Sequence, residues 1–145
     1  MTDIHPHPPL AAAMALLEAV QLPTADLTEN HCEHFFYQGS PAAPAGLVGL
    51  VGLELFGDVA LLRSLAVSPA ARASGLGSAL LEYAESHARS TGVKAIYLLT
   101  TTAEEFFARR GYTPTPRDAA PPAIRSTREF AGICPASSAF MSKPL

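Results

Sequence analysis

A short glycine-containing loop ahead of a helix is the part of this sequence whose residue types and spacing best suit chemistry. Arg72, Gly75 and Gly77 stand between an apolar segment and a run with helical spacing. The first N–H groups of a helix are unpaired and carry partial positive charge, and glycine lets that backbone approach a phosphate closely. Arg72 adds a cation with bidentate geometry. These properties predict a site for a pyrophosphate.

The motif alone is also typical of an ordinary helix start with a tight turn. Its spacing differs from the dinucleotide pattern Gly-x-Gly-x-x-Gly, and it lacks the Gly-Lys-Ser/Thr of nucleotide-binding P-loops. The flanking residues favour the phosphate site. An apolar strand ending in Leu65-Ala66-Val67 leads through Ser68-Pro69 into the loop, and Leu76 begins the helix.

The whole stretch resembles motif A of the GNAT superfamily of N-acetyltransferases. Residues 103–112 resemble the next element of that superfamily, which flanks the thioester, so the resemblance covers roughly residues 46–114. It implies acetyl-CoA as co-substrate, with its pyrophosphate on the loop and its pantetheine arm paired to the backbone of the strand end. The cofactor-binding residues expected on this basis are Leu65, Ala66, Val67, Arg72, Ala73, Ser74, Gly75, Leu76, Gly77, Ser78 and Phe107.

A narrower resemblance extends over nearly all of the chain after Leu22. The segments similar to the arsenic-resistance N-acetyltransferase branch are residues 57–67, 97–103, 123–130 and 134–138. This likeness implies an amino-acid-like acceptor, including an organoarsenical. Cys32 and Cys134 are soft ligands of the kind that metalloids prefer, but burial as small apolar residues fits two distant cysteines better.

The usual general acid is missing from the sequence. Acetyl transfer requires that the amine lose a proton and that the thiolate leave, often with help from an acid. Many members of the superfamily have a tyrosine four residues before the glycine that ends the second helix, and here that residue is Phe107. Tyr97 and Tyr112 are candidate acids, although a role in the core or the sheet fits each of them better.

Glu54 is the candidate catalytic base. It lies on an otherwise apolar strand face, where partial desolvation raises the pKa of a carboxylate. An ion pair with Arg63 across the predicted hairpin explains its position equally well. Glu33, which precedes another strand, is a weaker candidate.

Three polar residues on, or just after, two neighbouring predicted strands are candidates for binding the acceptor. Arg63 and Ser64 lie on a strand predicted to be central, where a charge is costly unless it is paired or faces a cleft. We expect Arg63 to bind the acceptor carboxylate or the oxyanion, with a structural ion pair as the alternative. Thr101 follows the next strand, at the edge where open sheets bind ligands.

A second group of acceptor candidates lies on one short helix near the C-terminus. Arg125 and Arg128 stand there beside Thr127 and Glu129. The two arginines are expected to bind a charged acceptor if the helix forms a polar wall of the cleft. A solvated helix face explains the same residues almost as well.

Periodicity and turn residues indicate the elements that position these candidates. Strands are expected at residues 33–38, 47–56, 59–67, 93–100, 112–113 and 137–143. Helices are expected from Leu10 to Pro23 and over residues 26–30, 76–92, 103–111 and 121–131, with Thr102 as the N-cap of a capping box. The order predicts an α/β (α+β) fold, namely a flexible leader over residues 1–8 and a single GNAT domain over 9–145 with a mixed central sheet flanked by helices.

Composition and charge exclude several partners. The chain has 145 residues and a net charge of −3, with no basic block, which argues against nucleic acid as a partner. The apolar run Leu10–Leu17 is too short to cross a membrane and no Lys or Arg precedes it, so we expect a cytoplasmic protein with reduced cysteines. The histidines lack the spacing of a metal site, so no metal is expected.

The apolar C-terminal strand is suited to pair with a second copy, which predicts a homodimer.

The sequence therefore favours transfer of the acetyl group of acetyl-CoA to a primary amine of a small molecule. A protein or peptide N-terminal acetyltransferase is the alternative enzyme. A non-catalytic acyl-CoA-binding or metalloid-binding protein is the alternative from another class, and Phe107 in place of tyrosine keeps it open.

Overall fold

The part of the chain described by the computed structural model comprises residues 4–22, 24–40, 46–72, 74–133 and 138–145. Its strands are β1 His5–Pro6, β2 Phe35–Gly39, β3 Leu47–Phe56, β4 Val59–Val67, β5 Ala95–Thr100, β6 Thr113–Pro114 and β7 Ala139–Pro144. Its helices are α1 Leu10–Ala19, α2 Leu76–Ser90, α3 Glu104–Ala108 and α4 Pro122–Arg125, with short helical segments at His31–His34, Pro69–Ala71, Arg117–Ala119 and Glu129–Ile133. Among these described helices, none is long and apolar enough to cross a membrane.

An apolar hairpin forms the centre of the sheet. β3 and β4 turn at Gly57, whose φ of 71° lies in the left-handed region that glycine adopts without strain. The strand order is β1-β2-β3-β4-β5-β7-β6, and β4 pairs with β5 in parallel while the other described pairs are antiparallel. Helix α2 makes the long connection that a parallel pair requires. The predicted mixed sheet with a central β4 is confirmed.

The two faces of the sheet carry different helices. Successive strand residues point to opposite faces, so Leu62 packs with α2 residues such as Leu80, whereas Leu61 packs with Ile124 of α4. On β3, Leu50 packs with residues of helix α1 such as Leu17. All six side chains are 2% exposed or less, so the helices are fixed by apolar burial on both faces.

β4 and β5 separate halfway along their length. Their parallel pairing ends at Leu61. β4 also carries a bulge, since Ser64 and Leu65 together oppose the single β3 residue Val51. Ser64 has a φ of 59°, which is unusual for a residue other than glycine. The backbone of β4 beyond Leu61 therefore borders an opening instead of a neighbouring strand.

The N-terminal part of the chain differs from prediction in two places. The predicted leader is not loose where it is described, because His5–Pro6 pairs with β2 and Ile4 packs against the core. Residues 26–30 form turns rather than a helix, and a short helical segment follows at His31–His34. β2 consequently begins at Phe35.

Thr102 is not the N-cap of α3, so the predicted capping box is wrong. The helix begins at Glu104 after Ala103, without a side-chain cap. The Oγ1 atom of Thr100 instead accepts a hydrogen bond of 3.1 Å from the Ala103 N–H. Glu105 pairs with the exposed Arg109 at 2.6 Å and does not reach back to the start of the helix.

The helix expected over residues 121–131 is broken. Thr127 stands at the break, where its Oγ1 donates to the Ile124 carbonyl at 2.7 Å and accepts from the Phe130 N–H at 3.3 Å. The break buries Glu129 and leaves Arg125 and Arg128 exposed.

The C-terminal strand lies inside the sheet. β7 pairs with β5 along its whole length and with β6 through Met141 and Ser142. A strand already paired on both sides is not an open edge. The structure thus removes the reason for which a homodimer was predicted.

Candidate active site

Two cavities adjoin at Leu65, on the part of β4 that is not paired with β5. The first, called here the basic groove, is lined by residues that include Leu65, Ala66, Val67, Arg72, Gly77, Phe106, Arg109 and Arg110. The second, called the acidic cavity, has a volume of about 600 Å³ and is lined by residues that include Arg63, Ser64, Thr100, Thr101, Thr102, Phe107, Glu129 and Ser138. Leu22, Leu65, Thr102 and Ala103 line both, so the bulged part of β4 separates two adjacent compartments.

The N-terminus of α2 lies beside the basic groove. Gly75 precedes the helix with a φ of 83°, and it has no side chain to cap the first N–H groups. The side chain of Leu76 is buried in the core, whereas Gly77 borders the groove. A helix of 15 residues with uncapped N–H groups favours an anion at this end. Ala73, also predicted here, lies outside the described residues.

Two arginines flank this helix start. Arg72 is exposed and donates from Nε to the Val67 carbonyl at 3.3 Å. Arg110 donates from Nε to the Ser78 hydroxyl at 3.0 Å and from Nη1 to the Phe106 carbonyl at 2.8 Å. Its guanidinium also stacks 3.7 Å from the centre of the Phe106 ring. Arg110 was not among the predicted site residues. Its position becomes visible only in the structure, where it lies against the first turn of α2 as a second cation.

The end of β4 offers backbone groups to the groove. Leu65, Ala66 and Val67 line it, and this part of the strand has no β5 neighbour. An unpaired strand edge is a template for an extended partner. The geometry is compatible with the predicted pairing to a pantetheine arm, with the Val67 carbonyl already accepting a bond from Arg72.

A buried guanidinium surrounded by carboxylates forms one wall of the acidic cavity. Arg63 contacts Asp26 through two hydrogen bonds of 2.5 and 2.8 Å. It contacts Glu54 at 2.9 Å and Glu129 at 3.4 Å. Arg63 also donates from Nε to the Ser64 hydroxyl at 3.3 Å. Three carboxylates thus already surround the guanidinium, as the alternative of a structural ion pair describes. Binding of an acceptor carboxylate or oxyanion by Arg63 stays a prediction that these contacts disfavour.

These contacts shift the pKa values of the cluster in different directions. Burial raises the pKa of Glu129 to about 7, with Arg63 opposing the shift and the charges of Asp26 and Glu54 adding to it. Burial acts in the same way on Asp26, but the hydrogen bonds and charge of Arg63 hold its pKa below its ordinary value. Burial disfavours the charge of Arg63, yet its carboxylate partners raise its pKa, so it stays a cation.

Glu54 forms the ion pair with Arg63 that was the alternative to its role as the base. It reaches across the hairpin to Arg63, and its side chain is 17% exposed. It does not line the acidic cavity. The carboxylate that does line the cavity is Glu129, which the sequence analysis placed only in a polar helix face.

Hydroxyl groups also line the acidic cavity. Ser64 and Thr101 border it as predicted, with Thr101 exposed. Ser138, which was not predicted, is 6% exposed, and its Oγ has no hydrogen-bond partner among the described residues. A buried hydroxyl without a partner is costly and indicates a place for a polar ligand or water.

The aromatic candidates have structural roles. Phe107 lines the acidic cavity and packs edge-on against Phe106 and Tyr112. Tyr112 is buried and donates to Glu85 at 2.9 Å, and burial together with Glu85 raises its pKa, which makes it a poor proton donor for the reaction. Tyr97 stacks on Phe140 in the sheet.

The two C-terminal arginines do not reach either cavity. Arg125 is exposed and donates to the Asp118 carbonyl, and Arg128 is exposed as well. Their positions agree with the alternative of a solvated helix face, and their role in binding the acceptor stays a prediction that the described linings do not support. Burial raises the pKa of the free Cys32 thiol, which keeps it protonated and shielded. Cys134 lies outside the described residues.

One group of side chains has the composition of a metal site. Asp26, His31 and Glu54 each offer an atom within 4.8 Å of the others. Arg63 already binds both carboxylates, and a guanidinium at that point repels a cation. The donor set is therefore matched to Arg63 rather than to a metal.

Comparison with known proteins agrees with this geometry. Residues 6–112 match the Acetyltransferase (GNAT) family. An amino-acid acetyltransferase of Pseudomonas syringae is 41% identical over 69 residues, which are 48% of this chain and 16% of that protein.

N-acetylglutamate synthase of Neisseria gonorrhoeae superimposes with a TM-score of 0.81 in its complex with coenzyme A and L-arginine, at 25% identity over 99% of this chain and 33% of that one. In its complex with coenzyme A and N-acetyl-glutamate the TM-score is 0.80, at 26% identity over 100% of this chain and 35% of that one. The chain spans only part of these relatives, but the family match covers most of its own length, and it belongs to the acetyltransferase (GNAT) family.

Proposed function

We propose that this protein transfers the acetyl group of acetyl-CoA to the primary amine of a small, amino-acid-like acceptor. The observation that carries the proposal is the adjacency of the basic groove and the acidic cavity at Leu65. A negatively charged donor fits the first compartment, and an ammonium group fits the second. The bulge between them is where the acetyl carbonyl and the amine would meet.

The donor half of the proposal rests on the residues around α2. The N–H groups after Gly75 and the cations Arg72 and Arg110 would hold the pyrophosphate. The unpaired edge of Leu65–Val67 would carry the pantetheine arm. The relatives support this half, since N-acetylglutamate synthase of N. gonorrhoeae was crystallised with coenzyme A.

The acceptor half rests on the acidic cavity and on the names of the relatives. One carboxylate, Glu129, lines the cavity, and Asp26 and Glu54 lie behind Arg63. An amino-acid acetyltransferase and a complex with N-acetyl-glutamate point to amino-acid-like acceptors. Phe107 leaves the thiolate without a tyrosine, so the departing sulfur takes its proton from a cavity hydroxyl, water or the attacking nitrogen.

Several finer predictions remain proposals. Detoxification of an organoarsenical is supported only by the resemblance of the tail to the arsenic-resistance branch. Location in the cytoplasm stays a proposal, and independence of nucleic acid is supported by the net charge of −3. A reaction without metal is supported by the pairing of Asp26 and Glu54 to Arg63. The homodimer now needs an interface other than β7.

The test combines a binding measurement with an activity screen on the same preparation. Isothermal titration with acetyl-CoA is expected to show one site per chain. A thiol-release assay with free amino acids, their phosphorus- and arsenic-containing analogues, and short peptides is expected to show turnover with free amino acids or their analogues. No binding at millimolar acetyl-CoA would contradict the donor half. Binding without turnover on any amine would favour a non-catalytic acyl-CoA-binding protein, and turnover on peptides alone would favour the N-terminal acetyltransferase.

A further inference from the structure

The carboxylate of Glu129 differs from its neighbours in where it lies. It is the carboxylate of the Arg63 cluster that lines the acidic cavity, and the residue is 4% exposed. Asp26 and Glu54 contact the same guanidinium but do not border that cavity. Glu129 therefore stands between the buried cation and the space in which an acceptor would bind.

We propose that Glu129 is the catalytic base, which binds the ammonium group of the acceptor and takes its proton before the nitrogen attacks the thioester. The inference rests on the proposed function, because it assigns a residue of that reaction. It replaces Glu54 in this role.

The distances around Arg63 show why Glu129 retains affinity for a proton. Asp26 holds the guanidinium through contacts of 2.5 and 2.8 Å, and Glu54 does so at 2.9 Å. The contact with Glu129 is longer, at 3.4 Å, and does not have hydrogen-bond geometry. Arg63 thus donates hydrogen bonds to the other two carboxylates and none to Glu129, so the Glu129 oxygens stay open to a proton.

The charge balance of the cluster favours a cationic ligand. One guanidinium faces three carboxylates, from the turn before β2, from β3 and from the segment after α4. An ammonium group placed beside Glu129 compensates part of the excess negative charge. Arg128, the next cation along the chain, is exposed and does not line the cavity. Burial also places the pKa of Glu129 at about 7, close to the value that suits a base at neutral pH.

A second observation indicates a polar ligand in the same cavity. Ser138 lines the cavity, and its buried hydroxyl has no partner in the part of the chain that the structure describes. Its backbone is held by Arg117, which donates to its carbonyl at 2.8 Å. A hydroxyl held in this way can supply a hydrogen bond to a ligand that Glu129 binds in the same cavity.

The reaction balances with this single base. The acceptor ammonium gives one proton to the Glu129 carboxylate, and the free amine forms a C–N bond to the acetyl carbonyl carbon. The C–S bond then breaks, and the second proton of the nitrogen ends on the sulfur, which leaves as the CoA thiol. Glu129 finally releases its proton to water.

The test compares E129Q, E54Q and E82Q in the thiol-release assay between pH 5.5 and 9, with acetyl-CoA binding measured by titration. Glutamine keeps the shape of glutamate, and Glu82 is an exposed residue of α2 that supplies the matched control. We expect E129Q to bind acetyl-CoA as the wild type does while kcat falls about 100-fold or more. The bend near pH 7 in the wild-type profile of kcat/KM should disappear in E129Q. E54Q should lose less than about tenfold and keep the bend.

The possible outcomes distinguish a wrong assignment of the base from a wrong assignment of the function. If E129Q keeps both its rate and the bend near pH 7, Glu129 is not the base, although the acetyltransferase assignment stands. If E54Q loses the rate and the bend instead, the base is Glu54, as the sequence first indicated. If the wild type binds acetyl-CoA but turns over no amine, the proposed function itself fails, and this inference fails with it.

Discussion

The basic groove and the acidic cavity are built in different ways, although they adjoin at Leu65. The groove is assembled chiefly from two stretches of chain, residues 65–77 and 102–110, and its cations are partly exposed. The cavity wall collects Asp26, Glu54 and Glu129 around one buried arginine. A site made of consecutive residues can be recognised as a motif, whereas a site made by tertiary folding cannot.

The same difference sets the physical behaviour expected of each region. Charges in the groove interact through water and ligand, so their removal should weaken binding and leave the fold intact. Charges in the cavity wall are desolvated and depend on one another, so removal of the cation that they share should weaken the fold. The predictions below are chosen to test this contrast, from the largest expected effect to the smallest.

Replacing Arg63 should have the largest effect on stability. R63M leaves three carboxylates at a buried point without their cation, and we expect a loss of about 3–5 kcal/mol in the free energy of unfolding. Urea denaturation at pH 7 measures it. R109A removes an exposed pair with Glu105 and should cost less than about 1 kcal/mol. Equal effects of the two variants would contradict the contrast.

Replacing Arg110 should affect binding more than stability. R110M loses the hydrogen bonds to Ser78 and the cation beside the start of α2, and the Kd for acetyl-CoA should rise about 10- to 100-fold. R89A, at the far end of the same helix, is the matched control. Isothermal titration at two salt concentrations checks the prediction, and a Kd within twofold of wild type would remove Arg110 from the donor site.

The stability of the wild type should depend on pH through Glu129. Its pKa is raised from 4.5 to about 7, so the folded state holds a proton that the unfolded state releases. This contribution is complete below about pH 4.5 and is lost as the pH rises through 7. Relative to E129Q, the wild type should therefore lose on the order of 1–3 kcal/mol between pH 5 and 8. Parallel pH curves for the two proteins would show that Glu129 does not titrate in this way.

Asp26 should act with the opposite sign. Its pKa is lowered by Arg63, so its contribution to stability is present above its unfolded value and is lost as the pH falls through its folded value. Since the pKa of Asp26 lies below its ordinary value of 3.8, this carboxylate stays ionised between pH 5 and 8. For that reason the comparison above reports on Glu129.

Removing the Tyr112 hydroxyl should have the smallest effect and should not touch the chemistry. Y112F loses one buried hydrogen bond to Glu85, which Lys143 still pairs at 3.1 Å, and should cost about 1–2 kcal/mol of stability. Because Tyr112 lies in the core and lines neither cavity, kcat should stay within twofold of wild type. A large fall in kcat would restore Tyr112 as the general acid.

The two central strands and the loop that borders the basic groove were predictable because their signals are local. Apolar alternation around Gly57 marks β3 and β4 with their observed limits, and the loop before Leu76 carries its own motif. The capping box at Thr102 failed because a nearby residue in the chain, Thr100, accepts the bond from the Ala103 N–H. A local motif predicts well only where no neighbouring hydroxyl competes for the same helix start.

The acidic cavity was not predictable because burial decides which residues form it. Nothing in the spacing of Asp26 and Glu129 indicates that both meet Arg63. The break at Thr127 turns Glu129 inward and leaves Arg125 and Arg128 outside, which reverses the roles that a regular helix suggested. Ser138 becomes notable only when its hydroxyl is found buried without a partner.

The most direct test of the account is whether the two adjoining cavities carry out one reaction. The full chain is incubated with acetyl-CoA and a mixture of free amino acids and their analogues, while thiol release is recorded and the amines are examined by mass spectrometry. The account predicts CoA thiol in equal amount to one acceptor that has gained a single acetyl group on its amine. Acetyl-CoA binding without any acetylated amine, or thiol release by hydrolysis alone, would contradict it.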